Sequence, residues 1–246
     1  MKTRLDVACV ERKLFESRVK AQACIMAGLV TVNGLPADKA GKAVEETDVI
    51  AIARPDCPYV SRGGFKLKGA IDNFKIDVKD KICLDVGAAT GGFTDCFLQE
   101  GAGKVYAVDV GEGQLHEKIK NHPKVVFVPR TNARYLKPGQ LPELPELAAI
   151  DVSFISLKLI LGPVFNSTAP GARIIALIKP QFELQPRDLK KGIVRSDEAR
   201  LLTVEALRAF IGENFKAVEE AGLMESPVKG SKGNIEFLWY LAKRLP

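Results

Sequence analysis

Cysteine and histidine are sparse in this 246-residue chain, and neither is patterned. The five cysteines (Cys9, Cys24, Cys57, Cys83, Cys96) are odd in number, scattered and without C-x-x-C spacing. That argues against a disulfide framework and a zinc site, and makes a reducing compartment the default. The two histidines, His116 and His122, sit in a polar segment without ligand spacing, so both are expected at the surface and no metal is expected. No apolar run approaches the ~18 residues that a membrane helix needs, and the first residues lack the apolar core of a secretion signal. The expectation is a cytoplasmic protein with no membrane partner. Internal repeats, low-complexity segments and a G-x-G-x-x-G fingerprint are absent as well.

What is present is a basic balance and a glycine-rich turn. The formal charge of +6 and a pI near 9.0 suit a polyanionic partner. The apolar run Lys81-Ile82-Cys83-Leu84 leads through Asp85-Val86 into Gly87-Ala88-Ala89-Thr90-Gly91-Gly92-Phe93, which reads as a strand, a turn and a helix start. Such a turn lets a ligand lie against bare backbone N–H groups. A second strand, Lys104-Val105-Tyr106-Ala107-Val108, ends in Asp109, where a carboxylate is placed to hold two ribose hydroxyls. The spacing of Gly87, Gly91 and Gly92 disfavours a dinucleotide and favours a single nucleoside with a charged tail. S-adenosylmethionine is such a ligand.

The chain divides in two. In the first piece, residues 1–53, Arg4–Val10 reads as a short helix. Ser17 is an N-cap for a second helix, whose apolar positions Val19, Ala23, Met26 and Ala27 follow helical spacing up to Gly28, with Arg18, Lys20 and Gln22 on the other face. Leu29-Val30-Thr31-Val32 alternates into the tight-turn signal Asn33-Gly34, and Asp48-Val49-Ile50 closes as a strand. Residues 54–58, Arg54-Pro55-Asp56-Cys57-Pro58, break regular structure and form a linker. From Tyr59 to Pro246 strands and helices alternate: Ile82–Leu84, Val105–Val108, Val125–Val128, Leu147–Ile150 and Arg173–Ile178 are short apolar runs. A long helix follows Ser196-Asp197 with Leu201, Val204, Leu207 and Ile211 on one face. Two late strands around Gly230-Ser231-Lys232-Gly233, the second spanning Asn234–Leu241, form an edge hairpin. The expected fold is α/β, a Rossmann-like doubly wound sheet with an antiparallel C-terminal hairpin, preceded by a small α+β domain.

Two polar residues end strands where ligands of such sheets bind: Asp151 after the fourth and Lys179 after the fifth, facing each other across adjacent tips. A lysine after five apolar residues calls for a compensating carboxylate, as a rim salt bridge or as part of a site. The first piece, through Arg4-Leu5-Asp6, Ser17-Arg18, Ala21-Gln22-Ala23, Val32-Asn33-Gly34 and Asp48-Val49-Ile50, resembles the alpha-L RNA-binding motif of ribosomal small-subunit protein four. The runs Tyr59–Leu67, Asp85–Phe93, Asp151–Ser156, Ile178–Glu183, Lys191–Arg195 and Gly233–Phe237 resemble the FtsJ-like RNA ribose methyltransferases, in the TlyA or haemolysin A branch, which joins both domains.

The resemblance implies a Lys-Asp-Lys-Glu tetrad around the transferred methyl, matched by Lys66, Asp151, Lys179 and Glu236. Lys179 is expected to deprotonate or steer the ribose 2′ oxygen, Asp151 to orient it, and Lys66 with Glu236 to set charge and hold the ribose. The like charge of Lys66 and Lys179 is expected to press each lysine toward its neutral form. The turn from Asp85 to Phe93 is expected to bind S-adenosylmethionine, with Gly87, Ala88, Gly91 and Gly92 facing its methionine part, Asp109 its ribose and Asn132 or its neighbours in Arg130–Ala133 the adenine edge; Phe93 is a cofactor wall or ordinary core. RNA contacts are expected from Arg4, Arg18 and Lys20 in the first domain and from Arg62, Arg187, Lys190, Lys191 and Arg195 in the second. The implied activity is cytidine 2′-O-methylation of rRNA, free or in a ribosomal subunit. The short start, Met1-Lys2-Thr3-Arg4-Leu5, is similar to a subgroup acting only on large-subunit rRNA. The linker departs from the tryptophan-rich one of some members. A silent RNA-binding assembly factor and a membrane-acting haemolysin are the rival functions, and the oligomeric state is left open.

Overall fold

The computed structural model describes residues 2–26, 29–52, 58–185 and 189–245. The chain forms two compact units, Met1–Pro58 and Tyr59–Pro246. Of the expected linker, 54–57 lie outside the described residues. Among the described residues no helix is long and apolar enough to cross a membrane.

In the first unit, strand β1 (Thr3–Arg4) runs into helix α1 (Leu5–Glu11), and helix α2 (Arg18–Met26) starts after Ser17, whose Oγ accepts from Lys20 N at 3.3 Å. Strands β2 (Val30–Val32), β3 (Leu35–Ala37) and β5 (Ile50–Ile52) form a sheet in the order β3-β2-β5, and β4 (Ala43–Val44) pairs with β1. Asn33 and Gly34, both at positive φ (+53° and +78°), make the β2–β3 turn, which asparagine tolerates and glycine, lacking a Cβ, adopts freely. The closing strand starts at Ile50; Asp48 is instead the turn's anchor, accepting from Asn33 Nδ2 and Glu45 N.

Helix α2 is rotated from the expected orientation. Val19 and Met26 are 77% and 67% exposed, and Ala23 is exposed too, while Ala21 and Ile25 enter the core with Leu5, Ala8, Cys9 and Val30. Ala27 and Gly28 lie outside the described residues. The cause is Asp6, fully buried on α1: its carboxylate draws Arg18 and Gln22 toward it, at 3.0 and 2.6 Å, and turns the apolar stripe away.

The second unit is built on a seven-stranded sheet: β6 (Ile82–Val86), β7 (Lys104–Val108), β8 (Val125–Val128), β9 (Leu147–Ile150), β10 (Arg173–Ile178), β11 (Val218–Glu225) and β12 (Phe237–Lys243), in the order β11-β12-β10-β9-β6-β7-β8. Strands β10, β9, β6, β7 and β8 pair in parallel, while β12 is antiparallel to both neighbours. The central strands read as unbroken apolar runs because both their faces are covered. Helix α3 (Gly63–Phe74) packs on α4 (Gly92–Gln99) and on β12; α5 (Glu117–Lys120) and α6 (Leu161–Asn166) follow, and α7 (Pro180–Glu183) leads to α8 (Asp197–Asn214) beside β11.

Two expectations shift here. The hairpin forms, but β12 lies inside the sheet, and Asn234-Ile235-Glu236 precede the strand in a connection containing the 3₁₀ turn Ser231–Gly233. On α8, Ser196 caps the start, accepting from Ala199 N, and Thr203, Val204, Leu207 and Ile211 are buried, whereas Leu201 is exposed. Arg200 is turned inward there to reach Val194 O at 2.6 Å, which points its neighbour to solvent.

Candidate active site

The tips of β6, β7 and β9 surround a cavity of about 550 Å³. Gly87, at φ +86°, opens it: a Cβ there would fall 2.4 Å from Asp151 O, so only glycine lets the turn after β6 approach the β9 tip. Asp109, at the β7 tip, also lines the cavity; its Oδ2 accepts from Ala89 N at 2.8 Å and its Oδ1 from Gly111 N at 2.7 Å. Asn132 lines it too, its Oδ1 accepting from Arg134 N. Asp151 and Ser153 complete the floor beside apolar Ile155 and Ile160.

Other residues expected at the cofactor are not on that lining. Asp85 is fully buried beneath it, with Oδ2 accepting from Thr94 N (2.9 Å) and Thr94 Oγ1 (2.6 Å), so it fixes the start of α4 and does not reach the cavity. Burial pushes its carboxyl up to about 7, with the nearby Asp151 and Asp109 charges adding to the shift and Thr94 opposing it. Ala88 packs on Ala107, Leu115 and Ile119, and Phe93 is core. Gly91 permits φ +93°, and Gly92 permits close packing on the chain entering α3, since a Cβ there would lie 2.1 Å from Ser61 Oγ and 3.1 Å from Gly64 N. The glycine signal thus marked a turn whose glycines serve mostly backbone geometry and packing.

The four tetrad candidates form two ion pairs. Lys179 Nζ is 2.5 Å from Asp151 Oδ1 and donates to Ser153 Oγ at 2.9 Å. Lys66 Nζ is 2.6 Å from Glu236 Oε2, an almost wholly buried pair. Each lysine's close charged partner is therefore a carboxylate. Gln181, two residues after Lys179 in sequence, donates from Nε2 to Glu236 Oε1 at 3.2 Å and so adds to the Lys66–Glu236 pair. Ser153 and Gln181 were missed in the sequence, although both lie within two residues of a chosen tetrad position. Phe154 was also missed: it is 90% exposed at φ +64°, lines the cavity and packs its ring 4.9 Å from that of Phe182.

Residues 59–243 match the family described as FtsJ-like methyltransferase, and residues 3–50 match the S4 domain. This chain belongs to the FtsJ-like methyltransferase family. It is 46% identical to the Bacillus subtilis protein YqxC, which carries an rRNA methyltransferase name, over 98% of this chain and 85% of that one. It is 39% identical to the Mycobacterium tuberculosis 16S/23S rRNA (cytidine-2′-O)-methyltransferase TlyA over 97% of this chain and 89% of that one. A solved structure from Streptococcus thermophilus with a hemolysin name is 41% identical, covers 99% of this chain and 89% of its own, and superposes with a TM-score of 0.78.

In this FtsJ-like enzyme the basic residues expected at RNA fall into distinct settings. Arg4 and Arg18 are half-exposed and bound to Asp6, and Lys20 pairs with Glu16 one helical turn away. Arg62, Lys190, Lys191 and Arg195 are exposed, and Arg187 lies outside the described residues.

Proposed function

We propose that this FtsJ-like enzyme transfers a methyl group from S-adenosylmethionine to the 2′ oxygen of cytidine in rRNA, with large-subunit rRNA as the substrate, and that it works in the cytoplasm. The observation that carries this reading is that one cavity is lined both by the glycine turn with Asp109 and by Asp151, the partner of Lys179. Bound there, the donor supplies an electrophilic methyl on a sulfonium. The residues fit it: Gly87 leaves backbone room that a Cβ would fill, Asp109 stands at the β7 tip for ribose hydroxyls, and Asn132 edges the base.

Transfer needs the 2′ oxygen in line with the methyl and the hydroxyl proton removed as the new bond forms. Lys179 steers that oxygen or takes its proton as the bond forms. Asp151 and Ser153 hold the Lys179 amine at 2.5 and 2.9 Å, so it has one arrangement to offer. Lys66 and Glu236, with Gln181 on the Glu236 carboxylate, hold the ribose. RNA is gripped by Arg4, Arg18 and Lys20 in the S4 domain and by Arg62, Arg187, Lys190, Lys191 and Arg195 in the methyltransferase domain. The experiment is tritiated methyl transfer to rRNA: Lys179→Ala, checked for folding, should lose about 10²–10⁴-fold in rate while still binding RNA. A folded variant that transfers at near the wild-type rate would make Lys179 a structural residue.

A further inference from the structure

Two left-handed lysine turns meet beside the buried Lys66–Glu236 pair. Lys191 (φ +57°) and Gly192 (φ +79°) form one, and Lys232 (φ +56°) and Gly233 (φ +82°) the other. Lys232 Nζ donates to Lys191 O at 3.3 Å, bringing the turns into contact. Asn234, 2% exposed, fastens them: its Oδ1 accepts from Val194 N at 3.0 Å, and its Nδ2 donates to Gly192 O at 3.0 Å and Ser231 O at 3.1 Å. Both donors of the amide and its oxygen are thereby engaged, across segments more than forty residues apart in sequence. Two residues later, Glu236 binds Lys66, and at Gly230 a Cβ would fall 1.9 Å from Glu236 Oε1, so the turn and the pair share a tight seat.

The surface of this joint is strongly cationic. Lys190, Lys191, Arg195, Lys229 and Lys232 are all exposed, and among the described residues none of the five makes an ion pair with a carboxylate. Lys20, Lys68 and Lys104, by contrast, each have one. Cations that no described carboxylate neutralises attract a phosphate backbone, whose bound counterions they displace.

We propose that the two turns form a single phosphate-gripping surface for the RNA strand beside the reacting nucleotide, that Lys232 and Lys229 belong to it, and that Asn234 is the positioning residue fixing that surface against Glu236. This rests on reading the chain as an RNA methyltransferase. A strand held by its phosphates at this joint is registered against the Lys66–Glu236 pair, so Asn234 acts on the reaction through geometry.

The test uses the full-length protein, S-adenosylmethionine with a tritiated methyl, and a large-subunit rRNA transcript as probe, with rate measured against RNA concentration at several salt concentrations. Lys232→Gln, a change at an exposed side chain, should raise KM for RNA about two- to fivefold and make the salt dependence shallower by about one unit of slope. Asn234→Ala should raise KM for RNA roughly tenfold and lower kcat as well, while donor affinity by calorimetry stays at the wild-type value. If Asn234→Ala fails to fold, the Lys191→Gln, Lys232→Gln double variant carries the test. Wild-type KM and salt slope in that double variant would overturn the surface, and wild-type KM and kcat in folded Asn234→Ala would overturn the positioning role. A wild-type protein that neither binds nor methylates rRNA would instead bring down the enzymatic reading, and this inference with it.

Discussion

Asp6 in the S4 domain and Asp85 in the methyltransferase domain are both fully buried, yet they titrate in opposite directions. The bonded Arg4 guanidinium, helped by Gln22 and Arg18 and opposed by burial, holds the Asp6 carboxyl well below the usual range. Among the described residues no cation pairs with Asp85; burial raises it to about 7, and the two donors of Thr94 only moderate the rise. Burial alone does not decide whether a carboxylate is charged. What decides is whether neighbouring cations and donors replace the water that was lost. The S4 domain uses its buried aspartate as an anchor for two arginines facing solvent, whereas the methyltransferase domain uses its own to fix the turn under the cavity.

The largest test of this contrast is pH. Because the folded-state value of Asp85 is raised, its contribution to stability is fully present below an unfolded-state value near ~3.9 and is lost as pH rises toward about 7, an effect on the order of 4 kcal/mol. Urea unfolding of the full chain between pH 4.5 and 7.5 should show the methyltransferase transition weakening as pH rises, and Asp85→Asn should flatten that decline. A decline undiminished in the variant would assign it to another group.

Asp109 at the β7 tip accepts from the backbone N–H groups of Ala89 and Gly111 and opens to the cavity. Asp109→Ala should weaken S-adenosylmethionine binding by roughly 1–3 kcal/mol in calorimetry, and unchanged affinity would move the ribose elsewhere. For Asp6 the sign reverses: its lowered value gives stability that is present above an unfolded-state value of ~3.9 and lost as pH falls below it. Asp6→Asn should destabilise the S4 domain by about 1–2 kcal/mol at neutral pH, read as faster amide exchange confined to residues 3–52. Protection equal to wild type would mean that Arg4 and Arg18 do not need the anchor. The smallest effect is expected from Thr94→Val, which removes one donor from Asp85: about 1 kcal/mol of stability, with the pH-dependent decline extending to higher pH. A decline displaced to lower pH would show that Thr94 does not stabilise the charged form.

Much of the fold was legible because it is locally encoded. Asn33-Gly34 dictates its turn because both residues accept positive φ, Ser17 and Ser196 cap their helices within three residues, and the runs Leu147–Ile150 and Arg173–Ile178 are apolar enough to be central strands. Asp109 and Asp151 were legible as strand-tip residues, and the structure puts both on one cavity. Asp85 was misplaced because its neighbours in sequence line a turn, while its own side chain points to Thr94 nine residues on. Val19, Met26 and Leu201 were misread as core because periodicity gives a stripe without saying which way it faces.

The sequence by itself determined the order of elements, the turns, the caps and the residue types at the strand tips, because these depend on groups a few positions apart. Only the tertiary structure decided that Lys66 meets Glu236 across 170 positions, that Ser153 joins Asp151 at the Lys179 amine, that Gln181 reaches Glu236, and that Asn234 locks two lysine turns together. A buried charge or amide must find its partner wherever the packed chain brings one within about 3 Å, and that choice depends on the whole arrangement of strands and helices, which no local spacing contains.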